Sequence, residues 1–167
     1  MIVVSDTSAL TNLAAIGRFE LLRAVFGEVH IPRAVWDELN ADGKRWPGAE
    51  EVDRAAWVHR HDVKNLALVR SLARELDDGE AEGIALAVEL DADLVLIDER
   101  DGRRAAQQMG LKVAGIVAVL VSAKKSGLID SLHHDLTALI EIAGFRVGKD
   151  VIQAALLAAG EASTTDK

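Results

Sequence analysis

Asp6, Glu38, Glu80 and Asp98 are four carboxylates far apart in the sequence, each at or near the boundary of a regular element. If they meet in the fold, they cannot all stay charged without help. Two carboxylates about 4 Å apart repel by about 4 kcal/mol in an effective dielectric near 20. Either a proton is taken up with a raised pKa, or a cation neutralises the cluster. The chain has no cysteine, and His30, His59, His61, His133 and His134 lack the spacing of a zinc enzyme. The donors are then oxygens, and the fitting ion is Mg²⁺ or Mn²⁺. Such ions most often serve phosphoryl chemistry.

The elements around these acids follow from apolar patterning. The opening run Met1–Ser8 reads as a short buried strand that stops at Asp6, and Thr7 and Ser8 lead into a helix carrying Leu10, Leu13 and Ala14. That helix runs to about Ile16, before Gly17. Phe19, Leu22, Val25 and Phe26 repeat at helical spacing; Val29–Ile31 is a strand, and Pro32 suits the first turn of a helix bearing Ala34, Val35, Glu38 and Leu39. Residues 40–50 read as an exposed loop. A strand at 57–61 puts His59 and His61 on one face, and a helix covers about 64–75. Gly79–Leu90 is a strong helix with Asp77 as N-cap, and Asp93–Asp98 is the clearest buried strand, again ending in an aspartate. A helix at 103–109, a strand at 112–115, a helix at 116–126 and two further helices from 130 complete the pattern. The alternation predicts an α/β fold with a parallel sheet covered on both faces.

Right-handed crossovers return each helix antiparallel to its strands, so helices start at the edge where strands end. Asp6 and Asp98 lie there as strand terminators. Glu80 lies there in the first turn of its helix, and Glu38 in the second turn of another. At about 100° per residue, Glu80 projects among Ala81, Ile84 and Ala87, with Glu82 and Glu89 on the opposite side. Glu38 shares the Ala34/Val35 side, whereas Asp37 faces away. Each acid also has a plainer reading: Asp6 as a helix N-cap, Asp77-x-x-Glu80 as a capping box, Glu38 as an amphipathic edge position, and Asp98 as an N-cap or strand end.

The totals bound the rest. A chain of 167 residues, half of them apolar, favours one domain with a substantial core. A net charge of −8 argues against an all-over basic coat for indiscriminate nucleic-acid binding, though not against a local basic groove. There is no basic region followed by an apolar core at the start, and the uncharged stretch Val113–Ala123 is far short of the ~20 residues of a membrane span. A cytoplasmic protein with no membrane partner is the expectation.

Ser5-Asp6-Thr7-Ser8, Ile31-Pro32-x-x-Val35-x-x-Glu38-Leu39, Gly79-Glu80 through Ala87, and Leu96-Ile97-Asp98-Glu99-Arg100 together resemble a PIN-domain protein in order and spacing. The similarity spans roughly residues 1–125 and looks closest to a stand-alone prokaryotic subgroup, similar to toxins of the virulence-associated protein C type. It implies a three-layer α/β/α sandwich and a metal-dependent ribonuclease using Mg²⁺ or Mn²⁺. It also implies an RNA substrate, a homodimer, and in many members an antitoxin partner. By that resemblance Asp6 and Asp98 are direct metal ligands, Glu38 and Glu80 complete the acidic ring with Glu80 also toward metal, and Ser8 orients a carboxylate. Arg103, with Arg100 and Arg104, stands where phosphates can be contacted. Asp101 reads as a further ligand or as a solvated turn residue, the latter favoured, and Lys124-Lys125 as helix-dipole complements. Residues 1–127 then form the catalytic domain, 128–160 a helical extension packed on it, and 161–167 a tail. Glu80 stands where many members carry Asp, Leu96 replaces a frequent hydroxyl, and no Phe follows Asp98. The alternative is a catalytically weak PIN-fold module whose acidic rim docks a basic peptide. A haloacid-dehalogenase-type phosphatase would want an aspartate where Ser8 sits, and a Rossmann protein would want a Gly-rich loop after the first strand.

Overall fold

The computed structural model describes residues 1–43 and 45–161. Its centre is a sheet of five parallel strands, β1 (Val3–Ser5), β2 (Val29–Pro32), β3 (Val58–His61), β4 (Leu94–Leu96) and β5 (Val113–Ala114), in the order β3-β2-β1-β4-β5. Period-two alternation sends neighbouring strand residues to opposite faces. Val3, Val29, Ile31 and Leu96 pack on one side with Leu10, Leu22, Leu120 and Leu132. Val4, Val95 and Ile97 pack on the other with Ile84, Ala87 and Ala106. The strands are therefore apolar on both faces, as a covered parallel sheet requires.

The helices are α1 (Thr7–Ala15), α2 (Leu21–Phe26), α3 (Arg33–Leu39), α4 (Ala49–Arg54), α5 (Leu66–Leu72), α6 (Asp78–Glu89), α7 (Arg100–Gln108), α8 (Ile116–Lys125), α9 (Leu132–Glu141) and α10 (Lys149–Ala158). The first-named face is covered by α1, α2, α8, α9 and α10, the second by α5, α6 and α7. The result is a three-layer α/β/α sandwich, as the sequence predicts. Among the described residues no helix is long and apolar enough to cross a membrane.

Chain order fixes where a ligand can sit. The chain starts at the central strand, steps outward through β2 and β3, and returns to the other side of β1 with β4 and β5. The strand order reverses between β1 and β4, and the crevice beyond the C-terminal ends of such neighbours is the usual binding place in an open α/β sheet. Val3, Val4 and Ser5 pair with Leu94, Val95 and Leu96, so Asp6 and Asp98 leave adjacent strands at nearly the same level.

Several boundaries differ from the sequence reading. Residues 40–50 are not all loop: Ala49 begins α4, and Ala49 and Val52 are buried on its inner side. The helix after Asp98 starts at Arg100, three residues earlier than predicted. Leu132, Leu136 and Leu139 of α9 and Ala155 and Leu156 of α10 share the cluster of Leu10 and Leu120. An ion pair between the half-exposed Arg18 and the buried Asp135, Nε to Oδ2 at 3.1 Å, ties α9 to the loop after α1. Of the expected tail, 162–167 lie outside the described residues. Glu161 is described, and its carboxylate accepts from the backbone N–H groups of Leu132 and His133.

Candidate functional site

Each acid is anchored by a backbone N–H of an element that begins beside it. Asp6 takes extended backbone before α1, and its Oδ1 accepts from Ala9 N at 3.0 Å. Asp77 caps α6, accepting from Glu80 N at 2.8 Å, and Glu80 Oε2 accepts in return from Asp77 N at 3.3 Å. The cap and capping-box readings therefore hold, and each uses a single oxygen of Asp6 and Glu80. Asp98 does not cap α7; that position is Glu99, whose side chain makes no cap bond. Asp98 Oδ1 instead accepts from Ile116 N, at the start of α8, at 3.0 Å. Glu38 uses both oxygens, accepting from Gly79 N at 2.9 Å and from the Thr7 hydroxyl.

The second oxygens define the site. Glu80 Oε1 and Asp98 Oδ2 are buried with no hydrogen-bond donor. An acceptor stranded in this way costs about 1–3 kcal/mol, and more when charged, unless a proton or a cation meets it. Burial is the main reason that Asp6 is pushed up to about 8, with the negative charges of Asp98, Glu80 and Asp77 adding to it against the opposing Ala9 N–H. Glu80 is pushed up to about 7, by burial first and then by Asp77. Burial also raises Glu38, partly offset by Thr7 and Gly79, and raises Asp98, partly offset by Ile116 N–H and Arg103.

The acids do not share one pocket as the sequence reading expects. Asp6, Glu38 and Glu80 line a hollow of about 260 Å³ together with Thr7, Ser8, Asn12, Asp77 and Glu99. Asp98 lines the adjoining, larger groove with Arg103. The cause is the Ile116 N–H, which draws the Asp98 carboxylate toward α8. Among the described residues, no three His, Asp or Glu side chains stand in ligating positions as they are. The donor chemistry nonetheless fits a hard divalent ion: carboxylate oxygens alone, two of them buried and without a partner. Asp6, Glu80 and Asp98 are the residues that would hold it.

The expectation for Ser8 is corrected. Ser8 Oγ accepts from Asn12 Nδ2 at 3.0 Å, and the hydroxyl that holds a carboxylate is Thr7 on Glu38. Glu82 accepts from Ala34 N at 3.2 Å, tying α6 to the start of α3. Arg103 turns toward the strand end, donating to Ile97 O at 3.4 Å beside Asp98.

Three glycines have a packing role that motif reading does not assign. A Cβ on Gly79 would lie 2.6 Å from Glu38 Oε2, one on Gly102 3.3 Å from Glu80 Oε1, and one on Gly115 2.5 Å from Asp98 Oδ1. Gly79 and Gly102 lie within the first turns of helices, where glycine costs up to about 1 kcal/mol relative to alanine, and that cost was the signal available in the sequence.

A family model described as a PIN domain matches residues 2–161. Comparison with curated proteins gives no match. The matched span takes in all five strands, the four acids and both C-terminal helices, and on that evidence the chain belongs to the PIN-domain family.

Proposed function

We propose that this protein is a metal-dependent endoribonuclease that hydrolyses RNA phosphodiester bonds with Mg²⁺ or Mn²⁺ held by Asp6, Glu80 and Asp98. The observation that carries the reading is the pair of donorless buried oxygens, Glu80 Oε1 and Asp98 Oδ2, beside an Asp6 surrounded by negative charge. Membership in the PIN-domain family supports a nuclease-type fold around them. A bound ion of this class polarises a phosphodiester and lowers the pKa of water.

The chain's own groups supply positioning and charge. Ala9, Asp77 and Ile116 N–H each hold one oxygen of an acid, so each carboxylate is tethered through that oxygen and its second oxygen is left for a ligand. Glu38, fixed between Thr7 and Gly79, keeps the starts of α1 and α6 together. Its burial raises its proton affinity, which suits it to take up a proton in the hollow. Arg103, beside Asp98, offers positive charge to a phosphate oxygen. The same reading includes a toxin role with an antitoxin partner and a homodimer; growth arrest on expression and sedimentation test these.

The decisive experiment is cleavage of RNA by purified protein with Mg²⁺ or Mn²⁺, abolished by a chelator. Asp6→Asn, checked for native circular dichroism, should slow cleavage by about two orders of magnitude or more, the scale for removing a group that stabilises reaction charge. An undiminished rate in that variant would overturn the assignment.

A further inference from the structure

A groove of about 1110 Å³ runs between α7, α8 and the segment that joins α9 to α10. Arg100, Arg103, Arg104, Lys125 and Arg146 line it, and Asp98 is the sole acid among its lining residues. In a chain with 27 acids against 19 lysines and arginines, this is a local inversion of sign. None of the five cations forms an ion pair with a described residue. Three stand on α7, Lys125 closes α8, and Arg146 comes from the segment before α10, so positive charge borders the groove from several sides.

The surface between them is apolar, built from Val117, Val121, Phe145 and Val151. Phe145 is half-buried: it packs against the core, its N–H donates to Leu139 O at 2.9 Å, and it also lines the groove. At one end lie Asp98 and Gly115, and the charge of Asp98 reaches Asp6 in the neighbouring hollow. A polymer lying in the groove therefore leads to the acids.

We propose that this groove binds single-stranded RNA, with phosphates on the cations, a base against Phe145, and the strand running on to Asp98. The proposal rests on the ribonuclease reading and adds to it a substrate path in which the C-terminal segment is one wall. An acidic peptide would satisfy the cations but has no base to stack on the ring. A duplex keeps its bases paired and stacked, so it offers phosphates and 2′-hydroxyls but no splayed base to lie against the ring. Stacking on an aromatic beside phosphate-binding cations is the usual recognition of single strands.

The test is anisotropy of a short fluorescein-labelled single-stranded RNA in chelator, where nothing is cleaved. Lys125→Glu and Arg146→Glu alter exposed side chains, so their melting temperatures should stay near that of the unaltered protein. Each should weaken binding by roughly tenfold or more and flatten the dependence of log affinity on log salt by about one. Phe145→Leu, which keeps an apolar side chain on the core, should weaken binding by roughly tenfold without changing that slope. Affinities within about twofold of the unaltered protein would overturn the proposal. So would failure of the unaltered protein to bind at low salt, or equal binding of a duplex. A glutamate-rich peptide binding as tightly as the RNA would reassign the groove to an acidic protein partner. Cleavage with Mn²⁺ is scored separately. Groove-dependent binding without cleavage removes the ribonuclease reading alone, and cleavage with unaltered binding in the variants removes the groove alone.

Discussion

Asp6 closes α1 with one oxygen and faces Glu80 and Asp98 in a setting that favours its neutral form. An acid whose pKa is raised on folding binds its proton more tightly in the folded state, so its contribution to stability is complete below the unfolded pKa and is lost as pH rises through the folded one. For Asp6 that window runs from its ordinary value of 3.8 to about 8, and for Glu80 from 4.5 to about 7. Metal-free protein should therefore lose stability between about pH 4 and pH 8. Asp6→Asn, which cannot ionise, should be more stable than the unaltered protein at pH 8 by about 1–3 kcal/mol while losing cleavage. Denaturant melts across pH measure this, and a variant less stable at pH 8 would contradict the assigned burden. Glycines separate in the same manner. Gly115→Ala should displace Asp98, whose oxygen would lie 2.5 Å from the new Cβ, and reduce cleavage in a folded protein. Gly83→Ala, with nothing within 4 Å of the added carbon, should stabilise by about 0.5–1 kcal/mol and leave cleavage unchanged.

At the scale of elements, the start of α6 meets the acids of other segments: its first turn carries Glu80, and its Gly79 N–H binds Glu38. Its sequence announced it through an N-cap, a capping box and an unbroken apolar face. α4 was missed because it is short and follows a turn-rich run, so two buried positions, Ala49 and Val52, were too few to outweigh the loop signals. Thr7 and Ser8 show a different limit. Both are hydroxyl residues in the first turn of α1, about 100° apart around the axis, and only the location of Glu38 on α3 decides which one meets a carboxylate. The Arg18–Asp135 pair is another contact between distant elements. Asp135 is 2% exposed, so Arg18→Ala should leave it buried without its partner and cost about 1–3 kcal/mol, measured by denaturant unfolding.

For the whole molecule, two outcomes follow. The C-terminal helices bury side chains in the same cluster as α1 and α8, so a chain ending at Gly127 should expose that surface and fail to unfold cooperatively. Divalent metal should raise the melting temperature of the full chain, since an ion that binds only the folded state at a hundredfold its Kd adds about 2.7 kcal/mol. That rise should shrink in Asp98→Asn and be smallest at low pH, where protons compete for the same oxygens.

The amino-acid sequence determined the layers and the rim by itself, because buried strands, helix phases and right-handed crossovers are local or statistical consequences of residue pattern. It placed Asp6, Glu38, Glu80 and Asp98 at one edge for the same reason. Only the tertiary structure decided which way each carboxylate turns. That choice depends on where a free backbone N–H of another element happens to lie: Ile116 for Asp98, Gly79 for Glu38. The tertiary structure also brought Arg146 and Phe145 opposite α7, a juxtaposition set by how α10 packs on α8 rather than by any spacing along the chain.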